Sequence, residues 1–351
     1  MSFPAPPPAS PRAARDVRRA RWAATLAFLT NGALFGALIP HYPEAKAAFG
    51  LGPSEFGLLV VCLMLGAALT GSAPAPILRR AGSRRVVLAG TLVLAALVLL
   101  AGLSLDAAAS ARAAGDIPWP GLVWLFAGLL FVCGIGDAIV DTARNAQGLR
   151  VQQRLGRPVL TSMHAGWSLG AAGGAGLGAL AVGLALPAAV HLGVNGLLCA
   201  VAVLAVHRRF LPDALPPSPD DGPSPSGAEA PSPRDELAAP AGQESGTAAA
   251  RPERENRHSS QSRAGRASAV LALAPIVLIA MAGFGVEEFG NAWTSLFLQS
   301  ERGLDAAVAG LGASALLAAQ FAGRLAGDRV LAAWGRRRTL TVSLAAVVLG
   351  L

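Results

Sequence analysis

Charge is scarce in this chain. Only 14% of its 351 residues are Asp, Glu, Lys or Arg, where a soluble domain needs about a quarter to cover its surface. Cysteine is scarce too. Cys62, Cys133 and Cys199 all fall inside apolar runs, which excludes a disulfide framework. The arginine-rich leader is not followed by a small-residue cleavage site, so the first apolar run reads as a retained helix and not a signal peptide. No cofactor motif or metal-ligating cluster stands out, and neither a cofactor nor a metal is expected.

Long apolar runs fill the space instead. The chain is 53% hydrophobic with a mean hydropathy of +0.50. Eight runs lie at 22–41, 55–78, 85–105, 119–142, 159–184, 187–206, 269–298 and 303–326, and a ninth begins at 338–351. A run of about 20 residues covers roughly 30 Å of hydrocarbon as a helix. Only helices satisfy every backbone polar group of such segments in lipid, so an all-α membrane protein is predicted.

Arginine occupies every second gap between the runs. Arg12, Arg15, Arg18, Arg19 and Arg21 precede the first, Arg79, Arg80, Arg84 and Arg85 follow the second, and Arg144, Arg150, Arg154 and Arg157 follow the fourth. Short basic loops stay on the cytoplasmic side, which predicts a cytoplasmic N-terminus and a multi-pass protein of the cell membrane. The net charge of +8 is thereby assigned to lipid headgroups and not to nucleic acid.

The runs fall into blocks: a basic cytoplasmic leader over 1–21, a six-helix bundle over 22–210, a linker over 211–267 and a partial helical bundle over 268–351. Pro, Ser, Gly, Ala and mixed charge dominate the linker, which predicts disorder. Six helices, a long inner linker and further helices form the layout of a transporter built from two six-helix halves. About 8.5 spans are present on this count, and the chain is expected to be C-terminally incomplete.

Two turns support the duplication. Leu78-Arg79-Arg80-Ala81-Gly82-Ser83-Arg84-Arg85 follows span two, and Gly323-Arg324-Leu325-Ala326-Gly327-Asp328-Arg329 with Gly335-Arg336-Arg337-Arg338 follows span eight. They resemble the loop signature of the major facilitator superfamily, an acidic-Arg-x-Gly-Arg-Arg turn that braces the cytoplasmic face. The resemblance implies gating-loop roles for Arg79, Arg80, Gly82, Arg84, Arg324, Asp328, Arg329 and Arg336. Arg79 stands where the family usually has aspartate, whereas Asp328 keeps the acid. A denser match, Asp141-Thr142-Ala143-Arg144-Asn145-Ala146-Gln147-Gly148 with Gly156-Arg157-Pro158-Val159, His164 and Ser168-Leu169-Gly170, resembles a bacterial subfamily distantly similar to fucose-type sugar permeases. Arg144-x-x-Gln147-Gly148 also fits a pattern of proton-coupled facilitators. That pattern belongs at the outer start of span four, so Arg144 is expected to mark the membrane boundary instead.

Polar residues inside apolar runs are the transport and coupling candidates. Asp137 and Asp141, four apart, share a helix face and disfavour joint ionisation, which suits proton pickup and release. An interfacial pair of Asp141 with Arg144 is the alternative. Asn145 belongs to the same element. Glu287, Glu288, Asn291 and Trp293 cluster late in span seven, where the resemblance implies a Glu-Gly-x3-Asp-Trp element and Ala292 replaces its aspartate. Asn31 and His41 lie in and after span one, and His164 opens span five. Gly166, Gly170, Gly174 and Gly178 recur every fourth residue and form a packing stripe.

The expectation is a secondary transporter, not an enzyme, moving a small polar solute by alternating access with proton coupling, with no oligomer required. Drug efflux, a non-functional or partner-dependent fragment, and an intramembrane aspartyl protease read from Gly134-Ile135-Gly136-Asp137 are the alternatives. The protease reading lacks a second aspartate on another helix.

Overall fold

A computed structural model describes residues 11–157, 159–213, 285, 287, 290 and 293–350, and every regular element among them is helical. The helices are α1 (Pro11–Gly36), α2 (Tyr42–Phe49), α3 (Pro53–Thr70), α4 (Pro74–Ala81), α5 (Ser83–Ala113), α6 (Gly121–Leu155), α7 (Leu160–Gly183) and α8 (Ala188–Val206). Helical residues 293–300 (α9) and α10 (Ala306–Gly350) complete the set. A 3-10 turn, Ile39–His41, joins α1 to α2. Most of the expected span 269–298 and of the linker 211–267 lies outside the described residues.

Local chemistry sets the helix ends. Proline opens α1, α3 and α4, where its missing N–H is not needed. The Glu55 carboxylate accepts the Gly52 N–H at 2.8 Å and closes the first turn of α3. At the start of α8 the cap comes from another helix: Asp106 of α5 accepts the N–H groups of Ala188 and Ala189 at 2.8 and 2.9 Å. Helix α6 runs past the expected end at 142 to Leu155, because nothing breaks it before Gly156, which turns left-handed at φ 63°. Helix α1 likewise begins inside the basic leader, at Pro11. The ninth apolar run continues α10 beyond a break at Gly335, whose φ is 75°.

Seven helices among the described residues are long and apolar enough to cross a membrane: 14–49, α3, α5, α6, α7, the run 188–209 and the first half of α10. Their outward faces carry bare hydrophobic side chains such as Leu69, Trp124, Leu177, Leu197 and Leu204. A surface of that kind is stable against lipid and not against water.

Among the described residues, α1 packs extensively on α7. A Cβ at Gly170 would overlap the Leu29 carbonyl, and one at Gly174 the Ala33 carbonyl. Gly166 faces Thr25, and Gly178 faces Pro40 and Ala37. The four-residue glycine stripe therefore lets α7 lie backbone to backbone along α1. Helix α7 also packs on α10, and α5 on α6 and α8. Two apolar clusters fill the interior. One surrounds Phe28, Val87, Val151 and Phe210 at the basic end, where α1 begins and α8 ends. The other surrounds Leu34, Phe56, Leu130 and Leu192 toward the far end.

Candidate functional site

Helix α6 places four polar residues on one stripe at Asp137, Asp141, Arg144 and Asn145, the i, i+4, i+7 and i+8 positions. Asp137 sits about 24 Å of helical rise from Gly121 and about 27 Å from Leu155. Either distance exceeds half of a roughly 30 Å hydrocarbon layer. Asp137 therefore lies well away from both ends of the helix. Arg144, which the sequence register places at a membrane boundary, is only 2% exposed and is buried among the helices.

The Arg144 guanidinium serves both acids. Nη2 lies 3.1 Å from Asp141 Oδ1 and 3.6 Å from Asp137 Oδ1. The group stands over the Phe28 ring, 5.2 Å from its centroid, a cation–π contact from α1. Its Nε and Nη1 are buried with no acceptor among the described residues.

Two limbs extend from this centre. On one side Asn31 of α1 donates Nδ2–H to Asp137 Oδ1 at 2.9 Å, and its own Oδ1 accepts the Trp167 indole N–H at 2.9 Å. On the other, Asn145 donates to Asp141 Oδ2 at 2.9 Å, and its Oδ1 meets His164 Nε2 at 3.2 Å. The His164 ring returns to Phe28 at 4.8 Å between centroids. Arg324 of α10 joins through α7: it donates to Ser168 Oγ at 2.6 Å and lies 5.6 Å from the Trp167 ring centroid. One connected polar path thus links α10, α7, α1 and α6.

Five sequence candidates meet here: Asn31, Asp137, Asp141, Asn145 and His164. Arg324, expected in a gating loop, belongs to this path as well. Trp293 packs edge-on to Phe56 of α3 at 6.1 Å. His41 lies at the far end, against Glu44 and His191. Glu287 is helical and partly buried. Glu288 and Asn291 lie outside the described residues.

The loop candidates separate in the same way. Arg79 and Arg80 are exposed on α4, and Arg329 is exposed on α10. The side chains of Asp328 and Arg336 lie outside the described residues. Gly82, at φ 78°, turns the chain into α5, and Arg84 donates to the carbonyls of Phe210 and Arg208. Beside it stands a cluster that the motif did not contain. Asp213 accepts the Ser83 N–H at 3.0 Å and the Ser83 hydroxyl at 2.7 Å, and pairs with Arg150 at 2.6 Å. Gln147 donates to Ser83 Oγ at 2.7 Å and exchanges hydrogen bonds with both backbone groups of Leu211. Partial burial pushes the Asp213 carboxyl up, but the Ser83 hydrogen bonds and the Arg150 charge outweigh it and hold the group below the usual carboxylate range.

Sequence reasoning missed Trp167 and Gln147 as partners and assigned Arg144 elsewhere. A signal existed for Trp167, because an indole N–H within an apolar run needs an acceptor. For Arg144 and Gln147 it was the Arg-x-x-Gln-Gly pattern itself.

Comparison with known proteins fits this architecture. The sequence pattern of the Major Facilitator Superfamily matches residues 23–351. An uncharacterised transporter of Sinorhizobium fredii is 29% identical over 184 residues, 52% of this chain and 44% of the relative. An uncharacterised MFS-type transporter of Yersinia pestis is 24% identical over 315 residues, 90% of this chain and 67% of the relative. The chain thus spans less than half the length of the first and about two thirds of the second. No solved structure matches it. With an all-helical membrane architecture and a family match over nearly its whole length, the chain belongs to the major facilitator superfamily.

Proposed function

We propose that this protein acts as a secondary active transporter that moves a small polar solute by alternating access, coupled to protons, with its N-terminus on the cytoplasmic side. The observation that carries the reading is one buried guanidinium, Arg144, shared by Asp137 and Asp141 in the middle of a 35-residue helix. Ionised groups at that depth are costly and are retained where they handle charge. A proton arriving on either carboxylate cancels one negative charge and loosens its hold on Arg144. The guanidinium then turns more fully to the other acid, or to an oxygen of the solute, using Nε and Nη1. Asn31, Asn145 and His164 transmit that change to α1 and α7, and Arg324 transmits it to α10.

Purified protein in proteoliposomes with an imposed pH gradient tests the reading. Candidate sugars and other small polar metabolites are expected to accumulate with the gradient, and Asp141→Asn to abolish accumulation while sparing exchange. Folded wild-type protein that moves no candidate under any gradient would sink the transporter reading. Undiminished accumulation by the variant would sink the coupling role.

A further inference from the structure

At the far end of the bundle, three titratable groups line up outside the central path. The His41 ring, 2% exposed, puts Nδ1 3.1 Å from Glu44 Oε2 and Nε2 3.1 Å from His191 Nδ1. His41 belongs to the turn after α1, Glu44 to α2 and His191 to α8. The same turn touches the later helices: Ser295 of α9 donates to the Ile39 carbonyl at 3.4 Å, and Gly310 of α10 lies against Pro40 and Ala179. The histidine pair thus fixes the piece of backbone on which α9 and α10 close.

We propose that His41, His191 and Glu44 form a proton-binding clamp, distinct from the Asp137–Arg144 centre, that holds the far end closed and releases it when doubly protonated. Proton counting gives the reason. Glu44 accepts from His41 Nδ1–H, so in the neutral pair His41 Nε2 is a lone pair and accepts from His191 Nδ1–H. One added proton still fits the short contact. It leaves an N–H at His191 Nε2, which is buried with no partner among the described residues. A second proton places N–H against N–H across 3.1 Å, and two donors without an acceptor repel. The pair must part, and the turn that carries Ile39 and Pro40 is freed.

Around the clamp, α2 also carries half-buried Lys46, two residues from Glu44. On α5, Asp106 is engaged with the amides of Ala188 and Ala189, and Arg112 donates to the Ala48 carbonyl at 2.9 Å. Tyr42 stacks edge-on to Phe56, and Asp305 caps Val308. Residues 168–183 of α7, 306–323 of α10 and 22–36 of α1 contain no ionisable side chain, and α8 adds only Cys199 to His191. The clamp rests on the alternating-access reading only for its purpose.

The test is a distance between spin labels on exposed Leu184 and Glu301 in the full chain, with Cys62, Cys133 and Cys199 replaced by alanine, in nanodiscs. Between about pH 8 and pH 4, the longer-distance population is expected to rise roughly fivefold, as for loss of one hydrogen bond. His191→Gln keeps an amide partner for His41 without titrating, and His191→Phe keeps ring bulk alone. Both are expected to lose the pH dependence, whichever distance each adopts. A wild-type distance that ignores pH, or a His191→Gln protein that follows pH as the wild type does, overturns the clamp. Uptake is not read here, so a failed transport assay leaves the result standing, and a pH-independent distance leaves the transporter reading intact.

Discussion

Arg144 and Asp141 meet at 3.1 Å one helical turn apart, and the same Arg144 nitrogen reaches Asp137 at 3.6 Å. The arginine is the buried partner, at 2% exposure against 44% and 32% for the two acid side chains. That asymmetry makes the site more sensitive to loss of negative charge than to loss of positive charge.

Asp137→Asn with Asp141→Asn should therefore destabilise more than Arg144→Gln. The double variant strands a buried cation, a loss of about 3–5 kcal/mol, whereas Arg144→Gln leaves two acids that are 32% and 44% exposed. Thermal unfolding in one detergent, compared across the wild type and both variants, reads the order. The reverse order would mean that the acids are the desolvated partners.

Gly170 and Gly173 give a matched pair on α7. Gly170→Ala drives a methyl into the Leu29 carbonyl of α1, and overpacking of that kind costs about 1–3 kcal/mol. A methyl at Gly173 would meet nothing within 4 Å, and the position is exposed, so Gly173→Ala should be neutral or gain up to about 1 kcal/mol of helix propensity. Equal effects at both sites, measured by thermal unfolding, would remove the glycine stripe as the cause of close α1–α7 packing.

Asp213 predicts a pH signature at the basic end. Its carboxyl lies below the usual range, so its contribution is complete above about pH 4 and fades only as pH falls through the lower folded value. Asp213→Ala should cost about 0.5–2 kcal/mol near neutral pH, as for loss of a helix cap. The gap from wild type should shrink in acid and, because the side chain is 31% exposed, in high salt. A gap that is constant with pH would assign the effect to packing.

Trp167 and Asp137 communicate through Asn31. Trp167→Phe leaves the Asn31 carbonyl oxygen without its 2.9 Å donor, a loss of about 1–3 kcal/mol. Combined with Asp137→Asn, the two changes should be non-additive by about 0.5–3 kcal/mol, because both act on one amide. Additivity in a double-mutant cycle would show that the two halves of the path are independent.

Much of this was readable in the chain. Asn31, Asp137, Asp141, Asn145 and His164 were legible because a polar group in an apolar run has few inexpensive explanations. The glycine stripe was legible because its four-residue repeat is a property of one helix. Arg144 was not: a charge at the edge of an apolar run marks a membrane boundary and a buried ion pair equally well. His191 was not either, since a single histidine near a helix start carries no information about a partner 150 residues earlier.

The amino-acid order by itself determined the all-helical membrane class, the position of most of the spans that the structure describes and the pool of candidate polar residues, because hydropathy and helical period are local. Only the tertiary structure decided which of them are partners. Packing of α6 against α1 set Arg144 over Phe28, α1 lying along α7 brought Asn31 between Trp167 and Asp137, and α8 brought His191 to His41. Each of those contacts joins residues distant in sequence, and each is fixed by where whole helices pack, which no local pattern encodes.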